Sequence, residues 1–178
     1  EETVKCLRAF KKAVFSRTSD GRPSPIFLDL SAIEHISLAG ALVLGAEVHR
    51  WSDHRRSRLR ASNINEWKPN VRNILDNLGF FELLNVRIPR SIVVEPLDNE
   101  ITVLPMITST RLDAELLQRT LEQLNRVAQI LHQDPFIYGA LVEAAYNAKL
   151  HAYPEDHEYE FPPTIKGWWA TASWNPGD

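Results

Sequence analysis

The sequence predicts an α/β protein, with a sheet covered by helices in its first half and a partial α+β module after it. Three observations carry this. Up to residue 86, short apolar runs alternate with longer stretches whose apolar residues recur every three or four positions, the pattern of parallel strands joined by helical crossovers. Pro89, Pro96 and Pro105 then forbid a continuous helix, so a module boundary falls within residues 87–110. Two helical patterns and a closing Trp-rich alternating stretch follow.

Composition sets outer limits. The 178 residues suffice for one large or two small domains, and 44% hydrophobic content is ample for cores. A formal net charge of -3 gives no general attraction to nucleic acid or anionic membrane. The single cysteine, Cys6, cannot form an internal disulfide, which agrees with a cytoplasmic setting. No apolar run approaches the roughly 18 residues of a membrane span, and no signal peptide opens the chain. The first residues are Glu-Glu with no initiator Met, as expected of a piece of a longer protein.

Residues 3–16 place Val4, Leu7, Phe10 and Val14 three or four apart, with Lys5, Arg8, Lys11 and Lys12 between them, predicting an amphipathic helix. Residues 19–25 are rich in turn formers, and Ile26-Phe-Leu-Asp-Leu then reads as a short strand buried in a sheet. A helical pattern resumes over residues 38–52, a second strand fits 58–62, and a helix over 68–78 turns Val71, Ile74, Leu75 and Leu78 inward. Gly79 is placed to end that helix in the left-handed conformation.

The runs IFLDLSAIEHISLAGALVLGAEVHR, RLRASN and VRNILDNLGFFELL, taken in that order, resemble a STAS domain, the fold of bacterial anti-sigma-factor antagonists. The resemblance covers residues 1–86 and implies a regulatory, signalling role through contacts with a protein partner. In switchable members the loop before the second helix reads Asp-Ser-Ser-Gly, and the serine beside the glycine is phosphorylated. Here the loop is Ser37-Leu38-Ala39-Gly40. Ala39 stands at the acceptor position and has no hydroxyl, so no phospho-switch is expected there. Ser37 is not expected to substitute, since the register sets it back from the helix N-terminus that would stabilise a phosphate.

The basic stretch His49–Arg60 is expected to be a solvated helix end whose cations complement the dipole. Trp51 is one aromatic, too little for a base-stacking platform, and nucleic acid is disfavoured. Residues 91–95 and 100–106 read as extended segments that could pair as an edge hairpin. Residues 111–133 form a long amphipathic helix, with Leu112, Leu116, Leu121, Leu124, Val127 and Leu131 in one stripe and Thr110 as expected N-cap. That helix packs on a sheet or pairs with a copy of itself, which leaves a homodimer open.

The most informative stretch is residues 137–154, IYGALVEAAYNAKLHAYP. Glu143, Asn147 and His151 follow one another at steps of four, each turned by roughly 40°, so they form one stripe. The surrounding residues are so apolar that the helix is expected to be mostly buried. Unsatisfied neutral polar groups in such a setting cost on the order of 2 to 7 kcal/mol each. Either a ligand or metal satisfies the stripe, or the three side chains pair with one another and with nearby backbone.

Glu-x-x-x-Asn-x-x-x-His-Ala-Tyr-Pro resembles the N-box helix of the histidine-kinase-like ATPases, the superfamily of gyrase, Hsp90, sensor kinases and anti-sigma-factor kinases. The resemblance covers residues 111–178. It implies that Asn147 helps hold magnesium on the phosphates of ATP, that Glu143 acts catalytically on the attacking water, and that His151 lies near the phosphates. Magnesium takes oxygen ligands and keeps some of its water, which suits one amide oxygen plus phosphates. The acidic, proline-bearing stretch after His151 is expected to be a loop rather than a metal site, since no ligand pair there has zinc spacing.

The family's adenine-recognising Asp-x-Gly-x-Gly loop and glycine-rich lid are not among these 178 residues. The chain is therefore expected to be part of a longer STAS-plus-ATPase protein cut within its ATPase module, whose parent is an ATPase or a protein kinase. ATP and magnesium belong to that parent, and tight binding by this piece is not expected. The competing expectation is a non-catalytic interaction scaffold with a degenerate ATPase-like half.

Overall fold

A computed structural model describes residues 2–22, 25–55, 59–87, 102–127, 135–160, 163 and 165–174. The chain divides into two compact units, Glu1–Glu95 with Phe161–Thr164 and Pro96–Glu160 with Ile165–Asp178. The class is mixed α/β.

The first unit contains helix α1 (Glu2–Phe15), strand β1 (Ile26–Asp29), helix α2 (Leu38–Arg55), strand β2 (Leu59–Ser62), a 3-10 turn (Ile64–Glu66), helix α3 (Pro69–Asn77) and the short helix α4 (Phe80–Leu83). β1 and β2 pair in parallel, Ile26 opposite Leu59 and Asp29 opposite Ser62, as the strand-helix-strand alternation requires. The β1 run is not buried on both faces, however. Ile26 is buried, whereas Phe27 points out and is 61% exposed, so an uninterrupted apolar run here is a one-sided strand.

The core lies between the helices. Val14 of α1, Ala41, Val48 and Trp51 of α2, and Val71 and Leu75 of α3 are buried with Phe80, Phe81 and Trp67. Trp67 stacks on Phe81 at 5.8 Å between centroids and sends its indole N–H to the Ser62 carbonyl, satisfying the one polar atom a buried tryptophan brings. Gly79 has φ of 80°, a left-handed conformation open to glycine at little cost, and it lets α3 stop and α4 begin at once.

The second unit contains strand β3 (Thr102–Val103), strand β4 (Ile107–Ser109), helix α5 (Ala114–Val127), helix α6 (Pro135–His151), strand β5 (Trp168–Ala170) and strand β6 (Ser173–Trp174). β3 pairs antiparallel with β6, and β4 with β5. The two ladders are one pairing broken by a bulge. Thr102 lies opposite Trp174 and the Leu104 N–H reaches the Ala172 carbonyl, but Ile107 lies opposite Ala170, a shift of one residue. Pro105 sits in the gap, where its missing N–H breaks no ladder bond, and the Thr171 hydroxyl donates to the Leu104 carbonyl. Residues 91–95, which the hairpin expectation needs, lie outside the described residues, and the partners of 102–109 are the closing strands instead. A Cβ on Gly167 would come within 3.0 Å of the Ser109 carbonyl oxygen, so a glycine is what allows the backbones to approach there.

α5 is capped by Asp113, not Thr110. Its carboxylate accepts from the Leu116 N–H and its carbonyl from the Leu117 N–H, the bonds of an N-cap residue. Leu117 of α5, Ala145 of α6 and Trp168 of β5 form the core, with Ile107, Leu116, Tyr138, Val142, Ala148 and Ala170 packed around it. Residues 128–134 of the long predicted helix lie outside the described residues.

Candidate functional site

α6 begins at Pro135, whose fixed φ and absent N–H suit a first helical position. Tyr138, Val142, Ala145 and Ala148 follow at helical spacing and form the packed face, against Leu117 and Trp168. The opposite face carries Glu143, Asn147 and His151, all exposed. The helix is thus buried along one side only, and among its side chains whose exposure is described Ala145 alone is fully buried. This corrects the expectation of a mostly buried helix. Alanine and glycine fill so much of α6 that its sequence is apolar all round, while α5 and β5 cover a single side.

The structure brings two of the three predicted residues into contact. The Asn147 amide nitrogen donates to Glu143 Oε1 at 3.0 Å. His151 lies one turn further along the same face, and among the described residues no hydrogen bond joins it to the pair. With its amide nitrogen turned to Glu143, Asn147 keeps its carbonyl oxygen for another partner, and Glu143 keeps Oε2. Two oxygen acceptors on an exposed helix face are the kind of group a hard cation or a bound water takes. Among the described residues no group of three or more His, Cys, Asp or Glu could hold a metal ion.

The expected regulatory loop of the first unit also takes definite form. Ser37 is the N-cap of α2: its hydroxyl accepts the Gly40 N–H at 3.1 Å and its carbonyl the Ala41 N–H at 2.8 Å. The expectation that Ser37 is set back from the helix is corrected, since it stands at the N-terminus itself. Ala39, two residues on, is exposed in the first turn and offers only a methyl group. Nearby, the β1–α2 loop is tied down at both ends. Asp29 accepts from the Ser31 N–H and from the Asn63 amide, and these donors hold its carboxyl below the usual range. The Asn70 amide donates to the Glu34 carbonyl and lies 3.0 Å from His35 Nδ1, while Lys68 pairs with Glu34.

Sequence reasoning passed over a buried carboxylate with several partners. Glu47 of α2 is buried, accepts the Trp51 indole N–H at 2.8 Å and the Arg50 guanidinium at 2.8 Å, and faces Lys11 of α1 at 3.5 Å. The signal was present in the letters: a lone Glu inside LAGALVLGA-E-VHRW, with Arg and Trp three and four positions on. Trp51 is buried in this arrangement, so it offers no stacking surface to a nucleic acid.

Comparison with protein families, with curated proteins and with solved structures finds no match to this chain.

Proposed function

We propose that the protein is a bacterial regulatory protein in which a STAS-like interaction module, in residues 1–86, works with the N-box helix of a histidine-kinase-like, Mg-ATP-binding module. The observation that supports this reading most is the Glu143–Asn147 pair, set on a solvent-facing stripe of a helix whose other side is anchored to a sheet and a second helix. A purely structural polar pair gains little from standing in water, where such i,i+4 contacts contribute roughly 0.2–0.5 kcal/mol.

In this reading Asn147 Oδ1 would bind magnesium carried by the nucleotide phosphates. Glu143 would orient and deprotonate a water, its own geometry set by the Asn147 amide. His151, a turn beyond, would lie near the phosphates. The STAS-like module would dock a protein partner without a phospho-switch at residue 39, where alanine stands. The reading in which the chain is a non-catalytic scaffold draws on the same pair, since an exposed Glu–Asn contact satisfies itself.

Calorimetry of Mg-ATP on the full gene product separates the two. Asn147→Ala should abolish magnesium-dependent binding, while Glu143→Ala should leave affinity nearly intact and slow hydrolysis by roughly 10² to 10⁴, the range of a general base. Binding indifferent to Asn147→Ala would overturn the nucleotide reading in favour of the scaffold.

A further inference from the structure

The loop between β1 and α2 is pinned within the first unit by two side-chain contacts of different chemistry. At its start Asp29 takes the Ser31 N–H and the Asn63 amide, donors that hold its carboxyl low, so this pin stays ionised through the neutral range. Further along, at Glu34 and His35, the pin is Asn70 in the first turn of α3. Its amide nitrogen donates to the Glu34 carbonyl at 3.1 Å and lies 3.0 Å from His35 Nδ1.

The Glu34 carbonyl decides what the ring must be. A carbonyl oxygen only accepts, so the end of the Asn70 side chain that faces it is the NH2 group and not the amide oxygen. The same nitrogen turns its second hydrogen to His35, where Nδ1 accepts it through a bare lone pair. The ring is therefore the neutral tautomer with its proton on Nε2. An imidazolium would set N–H against N–H, and turning the amide over to accept from it would set the amide oxygen against the Glu34 carbonyl. Asn70 serves the carbonyl and a neutral ring together, never the carbonyl and a charged one.

We propose that Asn70 and His35 form a pH-sensitive latch, which holds the β1–α2 loop on α3 while the imidazole is neutral and lets go when it is protonated. The charged groups that the structure places at this junction act in both directions. Glu34 and Lys68 pair at 3.4 Å, the carboxylate favouring an imidazolium and the ammonium opposing it, and the positive N-terminal end of α3 opposes it as well. The deciding contact is the amide. The loop runs on to Ser37, which caps α2, so release reaches the start of that helix and the exposed Ala39 in its first turn. The surface presented there becomes pH-dependent, independently of any nucleotide.

Nuclear magnetic resonance of the intact protein between about pH 8 and 5, the range in which imidazole changes charge, provides the test. The Asn70 side-chain amide should shift with the same midpoint as the His35 ring, while the Asn63 amide, held by Asp29, should stay in place. After correction for the intrinsic pH dependence of exchange, backbone amides of residues 33–36 should exchange roughly two- to tenfold faster below the midpoint than above it, the value of one ordinary hydrogen bond. In His35→Gln that response should vanish. Asn70→Asp gives the sharpest outcome, because a carboxylate accepts from an imidazolium and cannot donate to the Glu34 carbonyl, so the loop should be held below the midpoint and released above it. An Asn70 amide indifferent to the His35 titration would overturn the proposal. A loop that still responds in His35→Gln, or that keeps the wild-type dependence in Asn70→Asp, would overturn it equally.

Discussion

Two helices of nearly equal length each carry a glutamate near the middle, and the structure treats the two acids in opposite ways. Glu47 of α2 is taken out of water and receives an indole N–H, a guanidinium and an ammonium group. Glu143 of α6 remains exposed and receives one carboxamide. A buried carboxylate is tolerated when surrounding donors replace its hydration, and donors committed to it serve the fold. An exposed carboxylate with a single partner keeps acceptor capacity for something from solution. The comparison separates an acid enclosed between α1 and α2 from an acid left open to solvent.

The largest expected effect comes from breaking the buried cluster. Glu47→Ala leaves Lys11 and Arg50 without their shared anion and the Trp51 N–H without its acceptor, and should destabilise the first unit by about 3 kcal/mol or more in urea unfolding. Glu143→Ala, by contrast, should change stability by no more than about 0.5 kcal/mol, as exposed substitutions commonly do. Equal losses from the two substitutions would erase the distinction.

A smaller effect sharpens the same point with two aspartates of the first unit. Donors from Ser31 and Asn63 hold the Asp29 carboxyl low, so its contribution is present above the usual carboxylate range, near 3.8, and is lost as pH falls through the lowered folded value. Burial, with Glu82 nearby, raises Asp76, so its ionised form opposes folding and stability from this group increases as pH falls toward and below its raised value. Asp29→Asn should flatten the acid limb of the stability profile, and Asp76→Asn should flatten the opposing trend. The profiles follow from urea midpoints measured across the acid range.

Much of this arrangement was legible in the letters. The parallel pairing of β1 with β2, the glycine stop at Gly79 and the shared face of Glu143, Asn147 and His151 follow from periodicity and turn chemistry, which are local properties. Burial was not legible, because it depends on what packs where. α6 looked buried because alanine reads as apolar, although its alanines at 140 and 144 face water; α2 looked ordinary because an acid reads as polar, although Glu47 is enclosed. The bulge at Pro105 was hidden for the same reason, since its partner strand lies more than sixty residues away in sequence.

The most direct test of the central claim follows two side-chain N–H signals by ¹H–¹⁵N correlation spectroscopy as Mg-ATP is added to the full gene product, where even weak binding displaces resonances. The Asn147 amide should shift in a magnesium-dependent, saturating manner, while the Trp51 indole N–H, locked on Glu47, should stay in place. An Asn147 amide that does not move at high Mg-ATP, or a Trp51 signal that moves in its stead, would contradict the assignment of the exposed acid to ligand and the buried one to structure.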